Sequence, residues 1–262
     1  VVFNFLNHNN FRETSALDST SSLNTIGVYS QLEFDYNDFV FLTLTARNDW
    51  ASTVAEENRS IFYPSASLSY ILSDTPGFDS NGNYYKLRAS YGTSANFPSP
   101  YLINPTLDAA PNAWINPFNG SVVSYNGLSS YLPNPGLLPE LLKEVEFGIE
   151  TKLFDNLVDL DISVYKRIVE DQILSSSLPT STGYSSTTIN AGRIDTDGIE
   201  SALTLNLIRP TTSDGLAWSM TTNFTAYETT VKELPVDRVA FGDGVNHAIE
   251  GEPYGVFRGT YA

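Results

Sequence analysis

The sequence contains no cysteine and a single methionine, and positive charge is scarce, with 14 Lys and Arg against 30 Asp and Glu. Without cysteine, this stretch forms neither a disulfide framework nor a zinc–thiolate site. The formal net charge of −16 argues against nucleic acid as a partner, because phosphates require Lys and Arg. No apolar run of about 18 residues is present, which excludes a transmembrane helix but not barrel strands.

The stretch from 134 to 167 carries the clearest structural signal. One face of its first strand holds Val145, Phe147 and Ile149, and the other holds Glu144, Glu146 and Glu150. After a tight turn at Asp155-Asn156, the return strand alternates in the same way. Side chains alternate across a strand with period two, so the pattern predicts a hairpin with one apolar and one acidic face. The acidic face must contact water, because unpaired buried charge is costly.

The same alternation recurs along the chain. It predicts strands over 24–36, 39–48, 61–72, 84–94, 144–153, 158–165, 197–208 and 217–228. Short turns follow Tyr36, Phe154 and Ile208, and long polar connections occupy 95–142, 169–196 and 229–253. The loops 49–60 and 73–83 are nearly equal in length and do not follow this alternation of short and long.

Strand length and loop length together favour a membrane barrel. The hairpin strands approach the roughly 9–11 residues that a tilted strand needs to cross a bilayer. Bacterial outer-membrane barrels have short periplasmic turns and longer extracellular loops. Aromatic residues near the strand ends, among them Trp50, Phe154 and Trp218, are typical of interfacial belts. A soluble β-sandwich or barrel also alternates and is the alternative from pattern alone.

Several motifs in a fixed order resemble one family. They include Arg47-Asn48-Asp49-Trp50, Asn134-Pro135, Asp171-Gln172-Ile173-Leu174, Ile189-Asn190-Ala191-Gly192 and Gly251-Glu252-Pro253-Tyr254-Gly255. In content and order they are similar to SusC/RagA-type TonB-dependent outer-membrane transporters. The resemblance implies a 22-stranded antiparallel transmembrane β-barrel in a Gram-negative outer membrane. It also implies TonB-powered import of oligosaccharides or peptides, with a SusD-like surface lipoprotein as a lid.

The resemblance covers only the barrel of such a transporter. We expect residues 1–262 to form one partial barrel domain of about eight full strands and parts of two more. The plug, the N-terminal region with the TonB box and the closing C-terminal strands are not recognisable, so the chain is expected to be part of a longer protein. Within it, 95–142 is expected to be a long extracellular loop.

Candidate contacts with substrate or lid come from loop aromatics set among Asn and Ser. They are Tyr101, Trp114, Tyr125, Tyr131 and Tyr184. Aromatic faces beside amides suit sugar rings or peptides. The alternative is that these side chains pack the loops together.

Catalysis and metal binding have little support in the sequence. His8 and His247 are the only histidines, and neither lies in a recognisable nucleophilic site. Asp195 to Glu200 is too short for a calcium loop and is expected to be a loop-to-strand junction. We therefore expect a transporter segment that is not an enzyme and needs no cofactor. The remaining alternatives are a soluble extracellular β-rich binding or adhesin domain and a passive porin.

Overall fold

A computed structural model describes residues 20–109, 114–123, 126–209, 215–241 and 246–257. The strands in these residues are β1 (Thr25–Tyr36), β2 (Val40–Ala51), β3 (Ser60–Ile71), β4 (Tyr84–Asn96), β5 (Leu107–Ala109), β6 (Trp114–Ile115), β7 (Val122–Val123), β8 (Asn126–Leu128), β9 (Tyr131–Leu132), β10 (Glu140–Leu153), β11 (Val158–Glu170), β12 (Ile173–Ser177), β13 (Ser186–Asn190), β14 (Arg193–Ile208), β15 (Trp218–Glu233), β16 (Arg238–Phe241), β17 (Asn246–Ile249) and β18 (Val256–Phe257). Single 3-10 turns occur at Glu56–Asn58, Leu72–Asp74 and Thr180–Thr182. Among the described residues, no helix has the length and apolarity needed to cross a membrane.

One antiparallel sheet dominates the molecule. Its strand order is β1-β2-β3-β4-β10-β11-β14-β15, so the long strands follow one another in space as they do in sequence. Every neighbouring pair is antiparallel. In the described part of the chain, β1 and β15 are the two ends of this sheet, which does not close on itself. The eight predicted strands and their antiparallel arrangement are confirmed.

The strand ends required correction on one side of the sheet. β10 begins at Glu140, β11 continues to Glu170, β14 begins at Arg193 and β15 continues to Glu233. The predicted loops 95–142, 169–196 and 229–253 are therefore shorter than expected, and each contains short strands of its own. Strict alternation stops before these ends, because consecutive apolar residues such as Leu141-Leu142 and Ile168-Val169 occur there beside the Lys143–Glu170 ion pair, which joins β10 to β11.

The two faces of the sheet differ in chemistry, as the alternation predicts. Val145, Phe147 and Ile149 lie on the apolar face, where Phe147 pairs with Ala89 and Val164 on the flanking strands and is 58% exposed. Glu146 lies on the polar face, between Ser90 and Tyr165. On β1 the apolar stripe from Ile26 to Tyr36 extends for about 34 Å along the strand, or near 25 Å across a membrane at a tilt of about 40°.

The connections distinguish two ends of the sheet. At the short-turn end, the β1–β2 and β10–β11 turns use the left-handed backbone of Asn37, Asp38, Asp155 and Asn156. Aromatic rings cluster there, with Phe39 at 5.6 Å from Tyr36 and 6.2 Å from Tyr70 between ring centroids. At the long-loop end lie the first long loop (97–139) and the second long loop (171–192). The link 72–83 at the short-turn end is longer than the link 52–59 at the long-loop end, contrary to the general pattern.

The small buried core lies at the long-loop end, where the loops pack against one another. Leu137, Val54 and Val231 are the largest fully buried side chains among the described residues. The amide of Asn58 donates to the carbonyl of Leu137 at 3.4 Å and ties the 52–59 link to the first long loop. Both faces of the rest of the sheet are open, so backbone hydrogen bonds between neighbouring strands, rather than a buried core, hold it together.

Candidate functional site

The polar face of the sheet carries a network of charges across its central strands. The guanidinium of Arg88 donates to both carboxylate oxygens of Asp161, at 2.7 and 2.8 Å, and to Ser163 at 3.0 Å. The hydroxyl of Ser163 donates in turn to Glu146 at 3.0 Å. Arg88 is on β4 and Asp161 on β11, so the side chain passes over the intervening strand β10.

Gly148 makes this passage possible. It lies between Arg88 and Ser163 in the register, and a Cβ at this position would lie 2.8 Å from the Arg88 guanidinium. The missing side chain leaves a channel in which the guanidinium rests on the sheet. A charge-rich wall of this kind suits hydrated solutes rather than an apolar ligand.

A groove of about 440 Å³ lies beside this network. Its lining residues are Arg88, Glu146, Asp161, Ser163, Glu200, Ser201, Ala202, Asn223, Phe224 and Thr225. Carboxylates outnumber cations in the lining, so the groove presents mainly hydrogen-bond acceptors. The described residues contain no group of three or more His, Cys, Asp or Glu arranged to hold a metal ion.

At the long-loop end, the two long loops form one joint sheet. Strand β9 of the first loop pairs in parallel with β13 of the second, which also pairs with β12. The backbone amide of Ser185 donates to the carbonyl of Ser130 at 2.7 Å, and the Thr187 hydroxyl donates to the carbonyl of Leu132 at 2.8 Å. Segments more than 50 residues apart in sequence therefore form a single surface.

Three of the candidate tyrosines lie close to this surface. Tyr131 is in β9, where its hydroxyl donates to the carbonyl of Leu102 at 3.4 Å. Tyr101 precedes that residue, has left-handed backbone geometry and accepts a hydrogen bond from the Ser22 amide at 3.1 Å. Tyr184 precedes Ser185, next to the contact with Ser130. The structure thus brings Tyr101, Tyr131 and Tyr184 to one region of the loops.

Trp114 belongs to a separate arm of the first loop. It lies in β6, which pairs with β7 alone, while β5 pairs with β8. Phe118 is at the tip of this arm and is 96% exposed. The tip forms a hydrogen-bonded turn, in which the amides of Phe118 and Gly120 donate to Asn116 at 2.9 Å. Tyr125 lies outside the described residues.

The remaining polar candidates have structural partners. Asp195 was expected at a loop-to-strand junction but lies inside β14, where Arg193 and Lys166 pair with it. Asp197 also pairs with Lys166, at 3.2 Å. His247 was expected in a loop but lies buried in β17, and His8 lies outside the described residues.

Sequence reasoning missed the residues that join the loops. Asn190 forms three hydrogen bonds, to both backbone groups of Leu138 and to the carbonyl of Asp171. Glu140 accepts hydrogen bonds from the Asn96 side chain and the Ile173 amide, both at 2.7 Å. The motifs Ile189-Asn190-Ala191-Gly192 and Asn134-Pro135 marked these places, but sequence spacing gives no information on which segments meet.

Comparison with known proteins agrees with this architecture. The family model described as TonB dependent receptor-like, beta-barrel matches residues 3–254. Two TonB-dependent receptors of Formosa agariphila are 28% and 27% identical to the chain, over 98% and 89% of its length. These matches cover 26% and 24% of the two receptors, so the chain spans about a quarter of the relatives' length.

Solved structures show the same fold. The RagAB peptide importer in its "closed-closed" state matches 89% of the chain and 25% of its own chain, at a TM-score of 0.75 and 19% identity. The siderophore receptor PirA from Pseudomonas aeruginosa matches 82% of the chain and 38% of its own chain, at a TM-score of 0.53 and 18% identity. These proteins are receptors and transporters rather than enzymes. The chain belongs to the TonB-dependent receptor family of outer-membrane proteins and forms part of its β-barrel.

Proposed function

We propose that this chain supplies wall strands and outer loops to an outer-membrane importer that takes up peptides or oligosaccharides. TonB would power uptake through regions outside this chain, and a SusD-like lipoprotein would cover the long-loop end. The observation that carries the proposal is the joint loop sheet of β9, β12 and β13, which lies at one end of a polar wall. A surface of this kind suits capture of a hydrated chain-like solute before it passes the wall.

The fold comparison supports an importer of the RagAB type. The TM-score to the RagAB peptide transporter is 0.76, compared with 0.53 for the siderophore receptor. Peptides and oligosaccharides share polar repeating units with apolar faces, which tyrosine rings and amides accommodate. On this proposal the apolar face contacts lipid, the polar face lines the lumen, and 95–142 lies outside the cell.

Uptake by whole cells tests the proposal. A strain lacking the full-length gene should lose uptake of labelled peptides, or of labelled oligosaccharides, and should regain it on complementation. Complementation should fail when TonB is inactivated. Uptake that persists without TonB would support a passive porin, and recovery of the protein without detergent would support a soluble adhesin.

Within the loops, we propose Tyr101, Trp114, Tyr125, Tyr131 and Tyr184 as contacts for substrate or lid. Tyr131 offers the sharpest test because it lies in the joint loop sheet. Its hydroxyl donates to the carbonyl of Leu102 at 3.4 Å, and replacement by Phe removes this weak contact while keeping the ring. Tyr131→Ala should weaken substrate binding by the full-length protein, whereas Tyr131→Phe should retain it, since the ring face provides the contact.

A further inference from the structure

We infer that Asn190 is a positioning residue that joins the two long loops so that they move as one unit. This inference deepens the proposed function, because it concerns the loops that would receive the substrate. It assigns no direct contact with substrate to Asn190. Its role is to hold Tyr131 and Tyr184 in a fixed relation.

The side chain of Asn190 bridges three backbone groups. Its Nδ2 donates to the carbonyl of Leu138 at 2.7 Å and to the carbonyl of Asp171 at 2.8 Å. Its Oδ1 accepts from the amide of Leu138 at 2.7 Å. An amide supplies two donors and an acceptor in one plane, whereas a carboxylate of the same size supplies acceptors only. Asn190 thus pairs with Leu138 as a neighbouring strand residue would.

A second side-chain amide, that of Asn134, reinforces the contact between the loops two residues earlier in β13. Nδ2 of Asn134 donates to the carbonyl of Thr188 at 3.0 Å, while its Oδ1 accepts from the amide of Gly136 at 3.0 Å. β9 and β13 pair only at Tyr131 with Ser186 and at Leu132 with Thr187, so both asparagine contacts lie further along the two segments. The two asparagines therefore connect the first loop to the second beyond the region that β9 and β13 cover.

These contacts are additional to the barrel wall. β10 and β11 already pair along their full length, from Leu141 with Glu170 to Leu153 with Val158. Joining the loops is therefore unnecessary for the sheet to form. Leu138 follows the fully buried Leu137, so the hydrogen bonds of Asn190 also attach the second loop to the packed core at the long-loop end. The geometry favours one rigid body of two loops over two independent loops.

Hydrogen exchange on the full-length protein in detergent tests the joint unit directly. Asn190→Asp keeps the size of the side chain but removes both donors. We expect exchange in 130–138 and 185–190 to rise roughly tenfold or more, since the hydrogen bonds that join the loops are lost. Asn206→Asp is the matched control. Nδ2 of Asn206 donates to the Asn156 carbonyl at 2.8 Å at the short-turn end, so exchange in the two loops should not change.

A disulfide across the joint sheet separates coupling from general stability. Leu132 and Thr187 are direct partners in the β9–β13 pair, so Leu132→Cys with Thr187→Cys can be oxidised to a bridge in this chain, which has no cysteine of its own. In the Asn190→Asp background, the bridge should restore slow exchange and uptake, and reductant should reverse both. In the wild-type background, the oxidised bridge should leave uptake unchanged, because the loops do not need to separate.

Two results would overturn the inference: unchanged loop exchange in Asn190→Asp, or loss of uptake when the bridge forms in the wild-type background. The exchange measurement needs no substrate. If exchange follows the expected pattern while no variant, nor the wild type, transports peptides or oligosaccharides, the proposed function fails and the loop unit stands.

Discussion

Arg88 and Asp161 form a two-point ion pair across a whole intervening strand, with N–O distances of 2.7 and 2.8 Å. Direct partners in a sheet are on adjacent strands, so this pair links strands two positions apart. The link depends on Gly148 of β10, which leaves room for the guanidinium. A similar close approach occurs where the ring of Tyr165 covers Gly198, its direct partner on the adjacent strand β14. Gly148 and Gly198 thus mark two places where a neighbour's side chain lies flat on the wall.

The Gly148–Arg88 relationship can be tested by a double-mutant cycle. Gly148→Ala places a methyl group against the Arg88 guanidinium and should displace it from Asp161. We expect a loss of unfolding free energy of at most about 1 kcal/mol, because Asp161 is partly exposed to solvent. In an Arg88→Ala background the same methyl group no longer meets the guanidinium and should cost less. Equal costs in both backgrounds, measured by denaturant unfolding of the refolded full-length protein, would contradict the relationship.

The orientation of the sheet predicts how charge is tolerated. Phe147→Arg puts a cation on the apolar face and should destabilise the barrel by about 2–4 kcal/mol if the site lies near the bilayer midplane. Ser90→Arg is the matched control, since Ser90 lies on the polar face opposite Glu146. Folding of the full-length variants into lipid vesicles would measure both effects. Comparable tolerance of the two arginines would show that the face assignment is wrong.

The arm of the first long loop should be removable. Residues 107–128 pair only among themselves in the described structure, and the Ser129 amide donates to the carbonyl of Thr106 at 3.2 Å, which closes the base of the arm. Deleting 107–128 should therefore leave barrel assembly intact, as surface loops tolerate such changes.

The same deletion should weaken uptake or association with the lid, because it removes the exposed Phe118 and the candidates Trp114 and Tyr125. Heat-modifiable migration of the full-length variant would report assembly, and cellular uptake would report function. Normal uptake together with normal lid association would show that the arm has no role in transport.

The eight long strands could be predicted because their signal is local. Alternation along Ile26 to Tyr36, or along Val145 to Leu153, depends only on neighbours in sequence. The turns at Asn37-Asp38 and Asp155-Asn156 could also be predicted from sequence, since Asn and Asp readily adopt left-handed backbone geometry. The strand ends at Glu140 and Glu170 were missed because the pattern there does not alternate: Leu141-Leu142 and Ile168-Val169 are consecutive apolar residues, and Lys143 and Glu170 form an ion pair between the strands.

The candidate site was only partly predictable because it is built from long-range contacts. The contact of Asn190 with Leu138 joins residues 52 apart, and the contact of Arg88 with Asp161 joins residues 73 apart. Both require a register that sequence spacing does not contain. The aromatic composition of the loops drew attention to Tyr131 and Tyr184, yet their proximity follows from the β9–β13 pairing.

On the proposed function, this chain crosses the outer membrane with its long loops outside the cell. Labelling of single cysteines in intact cells with a membrane-impermeant maleimide tests it most directly. Phe118→Cys lies at the exposed tip of the first long loop, and Asp79→Cys lies in the exposed link 72–83 at the opposite end. We expect Phe118→Cys to be labelled in intact cells and Asp79→Cys to be labelled only after the outer membrane is permeabilised. Labelling of both in intact cells, or of Asp79→Cys alone, would contradict it.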